Sequence, residues 1–131
     1  MDTKWYEDPV YHKMCDCPEI QDGHEWEAGD NGYWPDNGDI NVMYIGEYMP
    51  SELGEGHIWL PLQHQLQEMV TQYPDDEPWV TFTMLRDFVM NQPNTRSVYT
   101  EQFKSWEQLW LAFVMKELHN KTWDGNQWVT K

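Results

Sequence analysis

Positive charge is the scarcest property of this sequence. Its 131 residues contain 8 Lys and Arg against 23 Asp and Glu, which gives a net charge of −15. A field of that sign repels nucleic acids, nucleotides and anionic membranes, so we expect no direct binding to nucleic acid or to a membrane. The same field attracts basic protein surfaces, such as the grooves in which other proteins hold DNA or RNA.

Cysteine is also rare, with only Cys15 and Cys17 in the chain. Their spacing closes no useful loop, so we expect reduced thiols instead of a disulfide. Together with His12, and with His24 as a fourth ligand, the two thiols offer a set of atoms that zinc can use. A single cysteine pair at this unusual spacing is more typical of free thiols, and we therefore predict no metal and no other cofactor.

Long apolar runs and catalytic motifs are absent. No run approaches the roughly 20 apolar residues that cross a bilayer, and residues 1–8 are too polar for a signal peptide, which indicates a cytoplasmic protein. Ser51, Ser97 and Ser105 lack the context of a nucleophile elbow, and no glycine-rich phosphate loop occurs. The sequence thus predicts a protein without catalytic residues that is not an enzyme.

Aromatic residues, in contrast, are abundant. The chain has nine Trp and seven Tyr, and 40% of its residues are apolar, which favours one folded domain over residues 1–131. The most apolar segment is 105–119, where apolar side chains would cover more than half of a helix circumference. Ser105 and Gln108 match a capping box at its start. We expect this helix to be central to the fold.

Helical spacing of apolar residues also occurs in segments 9–17, 61–73 and 79–90. Residues 91–100 are polar and predict a loop. In the tail, residues 120–131, we expect the indoles of Trp123 and Trp128 to pack back on the fold, because their large apolar area is costly to leave in water.

β-Branched and aromatic residues between turn-forming residues predict short strands at 33–34, 40–48 and 57–60. Strands come early in the chain and helices dominate its second half. The predicted class is α+β, with a small antiparallel sheet of two to three strands packed with three to four helices.

The carboxylates are concentrated in the first half of the chain. Residues 1–60 contain fourteen acidic residues against two lysines, whereas residues 61–131 contain nine against six basic residues. One interpretation is that the surplus only keeps a tryptophan-rich chain soluble. The other is a single anionic face with aromatic anchors. The partner-binding residues expected on that face are Asp30, Asp36, Asp39, Glu47, Glu52 and Glu55, with Tyr33 and Trp34 as anchors.

An alternative interpretation is a small-ligand site. Aromatic rings would stack on a nucleotide base and Arg86 or Arg96 would bind its phosphate, as in a protein that sequesters a nucleotide signal. The negative charge of the whole chain argues against this alternative, although a local basic pocket can override it.

Three segments carry a resemblance to known proteins. They read W-L-P-L-Q-H-Q-L-Q-E-M at 59–69, E-Q-L-W-L-A-F-V-M-K-E at 107–117 and W-D-G-N-Q-W at 123–128. In these segments the chain resembles an uncharacterised family of small acidic proteins from phages and prophages of Gram-positive bacteria. The resemblance implies a phage protein in the host cytoplasm. With the charge, it predicts an accessory protein that binds a basic, nucleic-acid-binding surface of a host protein, such as an anti-CRISPR or other antidefence inhibitor that acts as an anionic DNA mimic.

Overall fold

The structure is a computed structural model that describes residues 5–25, 30–34, 41–44, 58–71, 78–90 and 98–130. The chain divides into two compact units. Unit 1 comprises Met1–Leu62 with Asp124–Gln127, and unit 2 comprises Gln63–Trp123 with Trp128–Lys131. Helices and antiparallel strands both occur, which confirms the predicted α+β class. The expectation of a single domain stays a prediction.

Unit 1 starts with a 3₁₀ turn, Trp5–Glu7, followed by helices α1, Pro9–Cys15, and α2, Pro18–Gln21. Both helices begin with proline, whose missing N–H costs nothing at the first helical position. Asp8 caps α1, because its Oδ1 accepts a hydrogen bond from the Val10 amide at 2.8 Å. The helix predicted over residues 9–17 ends two residues early, because Cys17 precedes proline and is extended, with φ −148° and ψ 153°.

A three-stranded antiparallel sheet completes the described part of unit 1. Its strands are β1, Asn31–Trp34, β2, Asn41–Tyr44, and β3, Ile58–Leu60. The order is β2-β1-β3, so β1 is central, and Tyr33 lies opposite both Val42 and Ile58. The strands predicted at 33–34, 40–48 and 57–60 are therefore confirmed where the structure describes them. Residues 40, 45–48 and 57 lie outside the described ranges.

In unit 1, polar side chains of α1 and α2 form hydrogen bonds to the backbone of β3 and of the residue that follows it. These bonds connect both helices to β3. The carboxamide of Gln21 accepts from the Trp59 amide at 2.8 Å and donates to the Trp59 and Cys15 carbonyls, both at 2.9 Å. The buried Tyr11 hydroxyl donates to the Pro61 carbonyl at 2.7 Å. These bonds pair backbone groups at the end of β3 that would otherwise lie buried without partners.

The described part of unit 2 contains four helices and a two-stranded hairpin. The helices are α3, Gln63–Val70, α4, Pro78–Met90, α5, Val98–Glu101, and α6, Trp106–His119; the strands are β4, Lys121–Trp123, and β5, Trp128–Thr130. Helices α3, α4 and α6 confirm predicted segments. The loop predicted over residues 91–100 is wrong at its end, where α5 begins. None of the described helices combines the length and apolar character needed to cross a bilayer.

Helix α6 is the most buried element of unit 2. Its cap matches the predicted capping box at Ser105, whose hydroxyl accepts from the Gln108 amide at 3.1 Å. The return bond is displaced by one residue, since Gln108 Oε1 accepts from the Lys104 amide at 2.9 Å and not from that of Ser105. The helix ends at Asn120, whose left-handed backbone, with φ 55° and ψ 44°, lets its amide bond to carbonyls of the last turn. The buried residues are Gln108, Trp110, Leu111, Ala112, Phe113, Val114 and Met115.

The tail was expected only to pack back on the fold, and it forms the β4–β5 hairpin. Trp123 lies opposite Trp128, with ring centroids 5.0 Å apart, and the side chain of Trp123 is buried as expected. The Trp123 amide donates to the Tyr99 hydroxyl at 2.9 Å, which connects β4 to α5. Gly125 has a φ of 102°, a backbone conformation that favours glycine at this turn.

Candidate functional site

The residues predicted to bind a partner fall in three groups. Asp36, Asp39, Glu47, Glu52 and Glu55 lie outside the described residues. The anchors Tyr33 and Trp34 lie on the central strand β1. Asp30 is described, but only 1% of its surface is exposed, so its carboxylate is not presented to a partner as expected.

The buried Asp30 lies against a histidine. Its Oδ2 lies 2.9 Å from His24 Nε2, and the His24 ring stacks on the indole of Trp59, with centroids 3.5 Å apart and planes 7° from parallel. The carboxylate thus has a partner that offsets the cost of its burial. This arrangement joins the end of α2 to β3, which is a structural role within unit 1.

A different set of carboxylates in unit 1 is exposed. Residues 5–25 contain six acidic residues and one lysine. The amine of that lysine, Lys13, donates to Asn126 Oδ1 at 2.9 Å. We define the acidic segment by its exposed members, which are Glu7, Asp16, Asp22 and Glu25. The structure therefore presents anionic groups here, upstream of all the partner-binding positions that the sequence suggested.

The thiols and His12 do not form a metal site. Within the described ranges, no group of three His, Cys, Asp or Glu side chains is arranged to hold a metal ion. His12 Nε2 lies 2.7 Å from the Tyr6 carbonyl, and burial lowers the pKa of His12, although that carbonyl and the charge of Asp8 oppose the shift. Burial raises the pKa of the Cys15 thiol well above its ordinary value. A thiol kept protonated in this way is a poor nucleophile and a poor metal ligand.

Unit 2 has a cleft that the sequence did not predict. It lies between α3, α4 and α6 and has a volume of about 540 Å³. Phe82 from α4 and Trp106 and Trp110 from α6 provide aromatic surface, and glutamine and threonine side chains provide polar surface. Phe82 and Trp106 are both 60% exposed, whereas Trp110 is 5% exposed. The volume of the cleft is within the range of about 300–1,000 Å³ that is usual for ligand pockets.

The charged groups of the cleft are few. Glu68 and His64, one helical turn apart on α3, are its ionisable residues among the described lining, which contains no lysine or arginine. Arg86, the phosphate-binding residue of the small-ligand alternative, does not line the cleft, and its Nη2 lies 3.5 Å from Asp87 Oδ1 at the surface. Arg96 lies outside the described residues. A phosphate would find no lysine or arginine among these lining residues.

The sequence does not indicate the cleft, because the helical spacing of its aromatic residues predicts a buried core. The apolar spacing of segments 79–90 and 105–119 suggested burial for Phe82 and Trp106, yet both are exposed. A signal existed in the spacing of Trp106 and Trp110, which share a helix face at i and i+4. That spacing alone does not distinguish an aromatic surface from a buried stripe.

Comparisons of the chain with protein-family models, curated proteins and solved structures find no match. The resemblance to small phage proteins therefore stays a prediction.

Proposed function

We propose that this protein is a non-enzymatic phage accessory protein, whose anionic surface occupies the basic, nucleic-acid-binding groove of a host protein in the host cytoplasm. An antidefence inhibitor of the anti-CRISPR kind would act in this way. The observation that carries the proposal is the acidic segment: four exposed carboxylates, Glu7, Asp16, Asp22 and Glu25, within 21 residues that contain one lysine.

Charge alone also explains solubility, so the proposal depends on where the carboxylates lie. Surface charges steer association and are screened beyond about 8 Å at physiological ionic strength. A decoy must therefore hold several carboxylates on one side of the molecule, where they replace successive phosphates. The acidic segment provides four exposed carboxylates within one unit, and the lysine beside them is hydrogen-bonded to Asn126. The proposal places these carboxylates on one side of that unit.

The experiment uses two variants of equal charge. In the first, Asp16, Asp22 and Glu25 are changed to lysine; in the second, Asp87, Glu101 and Glu117 are changed to lysine. All six residues are exposed, and each variant has a net charge of −9 in place of −15. The first set lies in unit 1 and the second in unit 2.

Host proteins captured by the immobilised chain are identified, and affinity for the purified partner is then measured at several salt concentrations and with duplex DNA as competitor. We expect the unit 1 variant to bind roughly tenfold or more weakly, the unit 2 variant to bind nearly as well as the parent, and DNA to compete. Binding that resists salt, or that falls equally in both variants, would overturn the proposal.

The small-ligand alternative is favoured by the cleft but not in its nucleotide form. Stacking rings are present, whereas the described lining contains no lysine or arginine for the phosphate. A thermal-shift measurement with nucleotides tests this directly, since a ligand at 100 times its dissociation constant adds about 2.7 kcal/mol of stability. We expect no shift.

A further inference from the structure

We propose that the cleft between α3, α4 and α6 binds an organic cation, specifically an alkylammonium group with an apolar body. This site is separate from the acidic segment, so the inference does not rest on the proposed function. It gives a role to exposed aromatic side chains that neither the fold nor an anionic decoy requires.

The aromatic residues are the first argument. Phe82, Trp106 and Trp110 all line one cleft, and two of them leave most of their surface in water. The faces of aromatic rings carry a partial negative charge that attracts cations, most strongly for tryptophan, and rings grouped around one space are the usual way in which proteins hold quaternary ammonium groups. An alkylammonium group also covers the exposed apolar surface.

Charge is the second argument. Glu68 is exposed at the cleft and supplies a formal negative charge, and no lysine or arginine among the described lining residues opposes a cation. The net charge of −15 raises the local concentration of cations around the whole molecule. A carboxylate ligand or a phosphate would meet repulsion from Glu68, and a neutral ligand would gain nothing from it.

The experiment compares a cation with its neutral isostere. Choline and 3,3-dimethylbutan-1-ol have nearly the same shape, and only choline carries a charge. Each is titrated into the intact chain, with binding followed by calorimetry and by the indole N–H signals in NMR spectra. We expect saturable binding of choline and at least roughly tenfold weaker binding of the alcohol.

Matched variants locate the site. Trp106→Ala and Phe82→Ala remove exposed cleft residues, and we expect each to weaken choline binding by roughly tenfold. Trp79→Ala is the control, because Trp79 is 65% exposed on α4 but does not line the cleft. Glu68→Gln is expected to weaken binding by roughly threefold, with Asp87→Asn as its control. Far-ultraviolet circular dichroism shows whether each variant keeps its helices, and the isostere comparison needs no variant at all.

The source of the cation is tested with a trimethyllysine peptide and an unmodified lysine peptide beside free choline. Tighter binding of either peptide assigns the cation to a partner's side chain, and equal or tighter binding of choline assigns it to a free amine. Equal affinity for the alcohol, loss of binding in Trp79→Ala as large as in Trp106→Ala, or no saturable binding of any cation would overturn the proposal. All these variants retain the acidic segment. The test of choline binding and the test of partner binding by the charge-reversal variants can therefore succeed or fail independently.

Discussion

Both units of this chain bury apolar side chains, but the polar bonds that join segments distant in sequence are most prominent in unit 1 among the described residues. In unit 1, polar side chains bond to backbone or to each other: Gln21 to Trp59 and Cys15, and His24 to Asp30. In unit 2, the consecutive apolar residues Trp110–Met115 of α6 are buried. The first arrangement depends on individual hydrogen bonds, and the second on the volume that side chains fill.

This difference has consequences for where function can be placed. Unit 1 keeps several carboxylates at its surface while its network of polar bonds holds short helices to short strands. Unit 2 has enough apolar residues to bury a helix on most sides and still expose Phe82 and Trp106 at the cleft. The acidic segment is therefore expected to be sensitive to the loss of single hydrogen bonds in unit 1. The cleft is expected to be sensitive to the loss of buried apolar volume in unit 2.

The largest effect is expected from Phe113→Ala in unit 2. Phe113 is fully buried, and its ring centroid lies 5.4 Å from that of Phe88 and 5.8 Å from that of Trp110. Loss of this side chain leaves a cavity, so the free energy of unfolding is expected to fall by about 3–5 kcal/mol. Urea denaturation measures the loss. Leu118→Ala, on the same helix but 42% exposed, is the control and should cost far less.

A smaller loss is expected from Gln21→Ala in unit 1. The change leaves the Trp59 amide and two carbonyls without their side-chain partner, at a total cost of about 1–3 kcal/mol, because Gln21 is only half-buried and water can replace part of these bonds. Gln21→Glu retains the acceptor for the Trp59 amide but places a carboxylate oxygen against the Cys15 and Trp59 carbonyls, so it should be at least as destabilising as Gln21→Ala. If Gln21→Ala were neutral, the contrast between the two units would be wrong.

Ser105→Ala tests the cap of α6 and should cost about 1 kcal/mol, because the Gln108 amide loses its acceptor. Ser105→Asp restores an acceptor and places a negative charge near the helix N-terminus, so its stability should be close to that of the parent. Thermal unfolding of the three proteins checks the order. A large loss in both variants would indicate that Ser105 acts through packing.

The smallest effect concerns pH. Hydrogen bonds from the Gln127 and Asn126 amides lower the pKa of Asp124 below its ordinary value of 3.8. Because the folded pKa is depressed, the stabilisation is complete above pH 3.8 and is lost as the pH falls through the folded pKa. An NMR titration of the Asp124 carboxyl checks the direction. A midpoint at or above 3.8 would contradict it.

Sequence reasoning succeeded where local signals were strong. Helix α6 has a capping residue, a long apolar run and basic residues in its last turn, and all of these act within the helix itself. It failed where structure depends on pairing between segments. Strands β4 and β5 have three residues each, too few to show alternation, although Asp124-Gly125 between them is a turn signal.

Site residues were harder to predict, because their exposure also depends on contacts between segments that are distant in sequence. Nothing local distinguishes Asp30 from the other carboxylates, and in the fold it contacts a histidine six residues earlier whose ring stacks on Trp59. Likewise, the spacing of Phe82 and Trp106 suggests core, and only the arrangement of α3, α4 and α6 leaves them open to water. Composition predicted an anionic surface, but it did not identify which carboxylates are exposed.

The Trp123–Trp128 pair provides a spectroscopic label that needs no chemical attachment. Two indole chromophores whose centroids are 5.0 Å apart and whose planes are tilted by 61° couple their electronic transitions. Exciton coupling of this kind splits a circular-dichroism band into two lobes of opposite sign, and the splitting disappears when the strands separate. Closure of the hairpin can therefore be followed optically in the unmodified chain, with Trp128→Phe as the spectrum that lacks the couplet.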